Sequence, residues 1–287
     1  MVKVLKNKGK INLSSKGNED FIILREIENI LLEKRGYIAK LPKKGSPTVA
    51  CMSGGADSVA NIFILLNEFK LEVFPFFINR GQSAYKYEKK AVRYYDKLFL
   101  KKFPDLYHKT LEIKINTPAT EYKNDLREVK KRFFNTEISA HISYPARNSI
   151  IFLTGMEYAL SLLNKGKKIN TLFASHVSSD SSFHCSLTWH RILNLEMCHI
   201  LHNQNFQFIS LPIENSLGNY YDKDVYLKYC EEHGLDLTRT RTCVKNTKIQ
   251  CGECPCCWDR RRAYKETGIK DKTKYLKPFP KKAGTYY

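Results

Sequence analysis

The hexapeptide Ser53-Gly54-Gly55-Ala56-Asp57-Ser58 constrains this chain more than any other stretch. It follows an apolar run, Thr48 to Met52, that reads as a fully buried strand. It precedes residues 57–69, where Val59, Ile62, Phe63, Leu66 and Phe69 recur at helical spacing. A strand that turns at once into a helix needs backbone freedom, which paired glycines supply. The same glycines let N–H groups come close to a ligand, and the helix directs its positive N-terminal end at the same point. Hydroxyls at Ser53 and Ser58 can donate to phosphate oxygens. The spacing is not the Gly-x-x-x-x-Gly-Lys of a Walker loop. Asp57 beside phosphate implies either a cation such as Mg²⁺, which favours carboxylate and phosphate oxygens, or a helix cap.

Strands and helices alternate through the following 170 residues. Leu71–Ile78, Leu106–Ile115, Thr171–Ser175 and Phe206–Pro212 read as strands. Ala84–Phe99, a buried Asn148–Leu163 and Asp222–His233 read as helices, the last stopped by Gly234. This order implies an α/β fold, a parallel sheet wrapped by helices on both faces, with ligands beyond the C-terminal strand ends. The hexapeptide lies at such an end. Residues 1–47 read as a basic extension carrying a helix from about Asn18 to Gly36, with Phe21, Ile22, Leu24, Ile27 and Leu31 on an apolar stripe. Residues 48–240 form the α/β domain, with a polar insertion at 117–144 that holds a Lys- and Arg-rich helix. Residues 241–287 form a small cysteine-bearing module with a basic tail.

Five of the nine cysteines fall between Cys243 and Cys257. Cys243, Cys251, Cys254 and Cys257 have the spacing of a tetrahedral Zn²⁺ site, with Cys256 as an alternative fourth ligand. Four thiolates leave no open position for water, so the role is structural. The remaining four, Cys51, Cys185, Cys198 and Cys230, read as packing residues. No apolar run is long enough to cross a bilayer, and Met1 to Asn12 lacks the apolar core of a secretory signal, so the expected compartment is the cytoplasm. The net charge of +19 favours anionic partners, whether nucleotide, nucleic acid or acidic protein, although basic solvated faces with no ligand would give the same sum.

The hexapeptide resembles the pyrophosphate-loop signature of the N-type ATP pyrophosphatases. Combined with the C-terminal cysteines, it makes residues 48–267 similar to the QueC branch, the 7-cyano-7-deazaguanine synthases. Further landmarks are Gly81-Gln82, Pro145-Ala146-Arg147-Asn148, Asp222-Lys223-Asp224-Val225 and Arg260-Arg261-Arg262-Ala263-Tyr264. The resemblance implies a Rossmann-type, adenine nucleotide alpha hydrolase-like fold and an ATP-dependent carbon–nitrogen ligase. ATP adenylates the carboxylate of 7-carboxy-7-deazaguanine and ammonia gives the amide, with a second ATP for dehydration to the nitrile. It implies that Ser53, Gly54, Gly55, Asp57 and Ser58 hold pyrophosphate and Mg²⁺, and that Arg147 and Lys223 neutralise charge. Gln82, Asp180 and Phe183 would meet the substrate.

Two departures stand out. The family's Ser-Gly-Tyr-Pro-Asp-Cys pocket segment is here Ser181-Ser182-Phe183-His184-Cys185, with His184 either a pocket contact or a loop residue. The terminal extensions and the 117–144 insertion exceed the family's compact pattern, which suits a partner protein or a second copy of the chain. Two alternatives follow: conjugation of the deazapurine to an amine of a partner protein in a bacterial antiviral defence system, or a zinc-containing nucleic-acid-binding or tRNA-modifying protein.

Overall fold

The computed structural model describes residues 19–132, 146–180, 182–218 and 221–279. The basic N-terminal tail, residues 133–144 of the insertion, Pro145, Ser181 and the last eight residues lie outside the described residues.

Five strands, β1 (Pro47–Cys51), β2 (Glu72–Asn79), β3 (Leu111–Lys114), β4 (Thr171–Ala174) and β5 (Gln207–Ser210), form one sheet in the order β3-β2-β1-β4-β5. Every pairing is parallel. The order reverses at β1, between β2 and β4, and ligands of such sheets sit in the crevice beyond that point. Helices α2 (Ala56–Asn67), α3 (Tyr85–Lys102), α7 (Lys223–Glu232) and α8 (Pro255–Thr267) share one core with the sheet. Helices α5 (Arg147–Ser161) and α6 (Leu187–Ile200) cover the other face. The basic α4 (Lys123–Arg132) occupies the insertion, as its composition predicts.

Helix α1 (Phe21–Arg35) begins at Asp20, whose carboxylate accepts from Ile22 and Ile23 N–H at 3.0 Å, and ends at Gly36 with φ 75°. Its buried stripe is Leu24, Ile27 and Leu31. Phe21 and Ile22, expected on that stripe, are 48% and 79% exposed. At about 100° per residue Ile22 lies roughly 160° around the helix from Leu24, so both cannot face the core. The third strand is also shorter than expected. Tyr107 forms only an isolated bridge to Val73. The Thr110 N–H and hydroxyl turn instead to the Asp96 carboxylate, at 3.1 and 2.6 Å.

Helix α5 buries only one face. Phe152, Met156 and Ala159 are buried, while Ile150 and Leu160 are 38% and 44% exposed. Helix α6 was not foreshadowed by periodicity, because its buried side includes His190, Arg191 and Asn194. Arg191 is held by Glu214 through two bonds of 2.7 Å and by Glu28 of α1 at 3.0 Å. Glu19 accepts from the N–H groups of Leu187 and Thr188 at 2.9 Å, so the segment before α1 caps α6.

Gly155 is where α5 touches the sheet. A Cβ there would lie 2.7 Å from Phe76 and 2.8 Å from Leu172. Gly155→Ala gains helix propensity but overpacks a rigid aromatic contact, and a net loss of about 1–2 kcal/mol is expected. Chemical denaturation of the variant checks this; equal or higher stability would show that the sheet yields at that point.

Candidate active site

The hexapeptide leaves β1 at the reversal point and enters α2. Gly54 has φ 78°, and a Cβ on it would meet the Glu88 carbonyl oxygen at 2.8 Å. Only glycine satisfies both the backbone conformation and the close approach. Gly55 is the N-cap of α2, with no side-chain cap, so the amides of the first turn point outward without intrahelical acceptors. Asp57 therefore does not cap the helix; its carboxylate reaches Lys223 Nζ at 3.4 Å. Ser53 and Ser58 hydroxyls lie 3.0 Å apart, and Ser58 Oγ also donates to the Gly55 carbonyl at 3.1 Å. Ser53 faces the cavity, whereas Ser58 is buried behind it and fixes the turn.

A cavity of about 360 Å³ opens at this loop. Ser53, Gly55, Ala56 and Asp57 form one side and Asp180, Ser182 and Lys223 another. The cysteine module supplies a third side through Arg241, Thr242, Cys256 and Asp259. Lys223 is the first residue of α7, placed by Asp222, whose carboxylate accepts from Lys223 N–H at 2.8 Å and Ser178 N–H at 3.0 Å. Its ammonium donates to Asp259 of α8 as well as pairing with Asp57. Burial alone would depress that ammonium, but Asp57 and Asp259 outweigh burial and hold it above its ordinary range. Burial pushes the Asp57 carboxyl up, with Lys223 opposing. Asp180 accepts from Val177 N–H at 3.0 Å, and burial pushes its carboxyl up to about 6.

The other expected site residues lie around this cavity. Gln82 is not among its walls; its amide donates to the Ile78 carbonyl at 3.1 Å and to Glu88 Oε2 at 2.6 Å. It reaches the cavity only through Glu88, which does line it. Arg147 opens α5 and bonds the Asn148 side chain at 3.0 Å and the His184 ring at 3.2 Å. Asn148 in turn donates to the His184 carbonyl at 3.0 Å, so this pair holds the Ser182–Ser186 segment. Phe183 stands beside the wall residue Ser182 and is 51% exposed. Arg241, Glu88 and Asp259 are wall residues that motif reading did not single out, and Cys256 was considered only as a metal ligand. For Arg241 and Asp259, nearness in sequence to the landmark cysteines and arginines was the available signal; Glu88 had none.

The sulfur atoms of Cys243, Cys251, Cys254 and Cys257 all lie within 4.8 Å of one another. The pairs Cys251–Cys257 and Cys243–Cys254 are 3.9 Å apart. A tetrahedral Zn²⁺ with bonds near 2.3 Å needs sulfurs about 3.8 Å apart, so this donor set fits. Backbone N–H groups of Cys251 and Cys254 point at Cys243 and Cys251 sulfur, at 3.4 and 3.3 Å, which suits thiolates. Cys256 is not one of the four; it packs beside them and lines the cavity. The module is tied to the loop by Arg241 N–H, which donates to the Gly54 carbonyl at 2.7 Å.

A glycine loop at the reversal point, an opposed lysine and a cysteine-built wall define an ATP-using α/β enzyme of the ligase type. The chain belongs to the QueC family: the family model described as "Queuosine biosynthesis protein QueC" matches residues 47–268, from β1 to the end of α8. A 7-cyano-7-deazaguanine synthase 1 of Sulfurisphaera tokodaii is 25% identical over 226 residues, covering 78% of this chain and 96% of that protein. A 7-cyano-7-deazaguanine synthase of Thermoplasma volcanium is 26% identical over 243 residues, covering 83% and 92%. Among solved structures, a U34-tRNA thiolase NcsA of Methanococcus maripaludis, with its 4Fe–4S cluster, aligns over 86% of this chain and 75% of its own at 14% identity and a TM-score of 0.38. No described helix is long and apolar enough to cross a membrane.

The environment of Asp180 makes a stability prediction. An acid raised from about 3.9 to about 6 binds its proton more tightly folded than unfolded, so its contribution is present at low pH and is lost as pH climbs through that interval. Asp180→Asn keeps the acceptor for Val177 N–H and removes the buried charge. Thermal unfolding should show a variant about 1–3 kcal/mol more stable at pH 7 and equal to the parent near pH 4. A variant less stable at pH 7 would mean that the ionised carboxylate is a net stabiliser.

Proposed function

We propose that the chain uses ATP to activate the carboxylate of 7-carboxy-7-deazaguanine and couples it to an amine. The observation that carries this reading is the single cavity shared by the loop, Lys223 and Asp180, in a chain whose relatives are named 7-cyano-7-deazaguanine synthases. The carboxylate oxygen attacks the α-phosphorus, the bond to the β-phosphate oxygen breaks and pyrophosphate leaves. The amine then attacks the acyl carbon, loses a proton, and AMP leaves with the electron pair of the broken C–O bond. With ammonia the product is the amide; dehydration by a second ATP would give the nitrile.

The chain's own groups suit each demand. The first-turn amides of α2 and the Ser53 hydroxyl receive the pyrophosphate. Lys223 neutralises charge developing on the α-phosphate. Asp180, with a carboxyl near 6, can accept the proton the amine loses at neutral pH. Phe183 and the Arg147–His184 pair border the place left for the deazapurine, with Gln82 acting through Glu88. Mg²⁺ arriving with the nucleotide would supply charge neutralisation between phosphate oxygens, with Asp57 as its protein ligand. Addition of 7-carboxy-7-deazaguanine and ammonium should release AMP and pyrophosphate. Asp57→Ala and Lys223→Ala should each lower kcat/KM by roughly 100-fold or more. Release of ADP, or no turnover with any deazapurine, overturns the reading.

We also propose Zn²⁺ as the ion of the four-cysteine centre, on the fit of its sulfur spacing. It holds one wall of the cavity and has no open coordination position. Elemental analysis should find one zinc per chain in the parent and in Cys256→Ser, and a loss of metal in Cys257→Ser. Retention of zinc by Cys257→Ser, or iron in its place, rejects this assignment.

A further inference from the structure

A second and larger hollow, of about 700 Å³, lies on the far side of Arg241 from the nucleotide cavity. One bank is a single face of α3. Tyr87, Lys90, Ala91, Tyr94 and Lys97 fall at intervals of three and four residues, and Arg93 flanks them. The opposite bank is the approach to the cysteine module, with Arg239, Arg241 and Lys248, and the segment bearing Lys272 and Lys274. Eight basic side chains line the hollow against one carboxylate, Asp236. That carboxylate already accepts from Thr238 N–H at 2.8 Å and Thr238 Oγ1 at 2.7 Å.

These cations are not spent internally. Among the described residues, Lys90, Arg93, Lys97, Arg239, Lys248 and Lys274 form no ion pair, and all six are exposed. Clustering like charges costs energy that a solvated face avoids by interspersing acids, as α7 does with Lys228 and Asp224 at 3.6 Å. Two tyrosines stand among the cations. Arg239 lies over the Tyr94 ring at 5.8 Å and Arg241 over the Tyr87 ring at 4.9 Å, and Tyr94 is 40% exposed. Planar groups alternating with cations in a groove are what a strand of unpaired bases requires: phosphates meet the charges and bases stack on the rings. From Tyr87 to Lys97 the α3 bank runs about 15 Å. With the cations of the facing bank, that length suits roughly four phosphates of a single strand. The hollow is not a second nucleotide site of the first kind, since no glycine loop opens into it.

We propose that this trough binds single-stranded nucleic acid, RNA or DNA, along α3 and the approach to the cysteine module. Arg241 lines both hollows, so a strand in the trough ends beside the catalytic cavity. The trough's occupancy does not depend on the reaction proposed above, and its test reads binding rather than turnover.

The probe is a fluorescein-labelled single strand of about 20 nucleotides, as RNA and as DNA, with the corresponding duplex, added to the full-length, metal-loaded chain. Four phosphate contacts predict a log–log salt slope near −3 for the single strands, about a 50-fold weakening between roughly 50 and 200 mM salt. Lys90→Ala/Lys97→Ala/Lys248→Ala should weaken single-strand binding at least tenfold at about 100 mM salt and flatten the slope by about 2. Tyr94→Ala, which keeps every charge, should weaken binding about tenfold with the slope unchanged. AMP release and zinc content should match the parent in both variants. The RNA-to-DNA ratio identifies which strand the trough prefers. Parent-like affinity in both variants, tighter binding of the duplex, or equal competition by polyglutamate overturns the proposal.

Discussion

Lys223 is the contact on which the site depends. Its backbone is fixed by Asp222, and its ammonium, only 14% exposed, lies between Asp57 on α2 and Asp259 on α8. Three helices are thus tied through one charge. Asp57, Asp180 and Asp259 share a cavity from which water is partly excluded, and without a cation their mutual repulsion and desolvation would force protonation or spread the walls. The arrangement also has a chemical consequence. A triphosphate entering this cavity adds negative charge to carboxylates already present, so the lysine cannot balance it alone. A nucleotide-borne divalent cation is the economical solution, because it needs only one or two protein carboxylates.

The cysteine module is remote in sequence from the loop yet shapes it. Arg241 N–H closes on the Gly54 carbonyl, and the Arg241 carbonyl lies 3.7 Å from where a Gly55 Cβ would stand. Thr242, Cys256 and Asp259 then complete the wall. Inside the module, Gly252 packs so closely that a Cβ would lie 2.6 Å from the Lys277 carbonyl. Arg260 is buried and bonds Thr240 Oγ1 at 2.6 Å, the Leu237 carbonyl at 3.1 Å and Thr273 Oγ1 at 2.8 Å. An ion held at the four thiolates would therefore fix the loop-facing segment at Arg241 and the helix that carries Asp259. Such a centre, doing no chemistry itself, would decide whether the cavity has its third side.

The parallel sheet, its helices and the loop were legible because each is encoded locally. Buried strands are continuous apolar runs, α2 has helical periodicity, and Gly54 sits where only glycine fits. The clustering of the cysteines was legible from spacing, and the structure gathers Cys257 rather than Cys256 with the other three. Helix α6 was not legible, since Arg191 and Asn194 interrupt its apolar stripe and find partners elsewhere in the chain: Glu214 and Glu28 for Arg191, Arg35 and the Phe206 carbonyl for Asn194. The same holds for Lys223. Alone it reads as a solvated lysine at a helix start; its partners Asp57 and Asp259 come from distant parts of the chain. Long-range charge pairing leaves no periodic trace, so a motif can mark the residue without revealing what it touches.

The net charge of +19 gave poor guidance because it is unevenly distributed. The cavity at the loop is lined by four carboxylates, of Asp57, Glu88, Asp180 and Asp259, against the two cations Lys223 and Arg241. The trough reverses that balance. Arg241 sits at the division, with its backbone on the loop, its guanidinium over Tyr87 and its Nε donating to the Cys243 carbonyl at 3.0 Å. Such segregation follows from different tasks. Chemistry on a small anionic substrate needs a few cations of fixed geometry, each checked by a carboxylate that holds it in place. Attraction of a long polyanion needs many cations left free of carboxylates, since its strength comes from released counterions. One chain can carry both surfaces only if they are kept apart, and here the cysteine module is the partition.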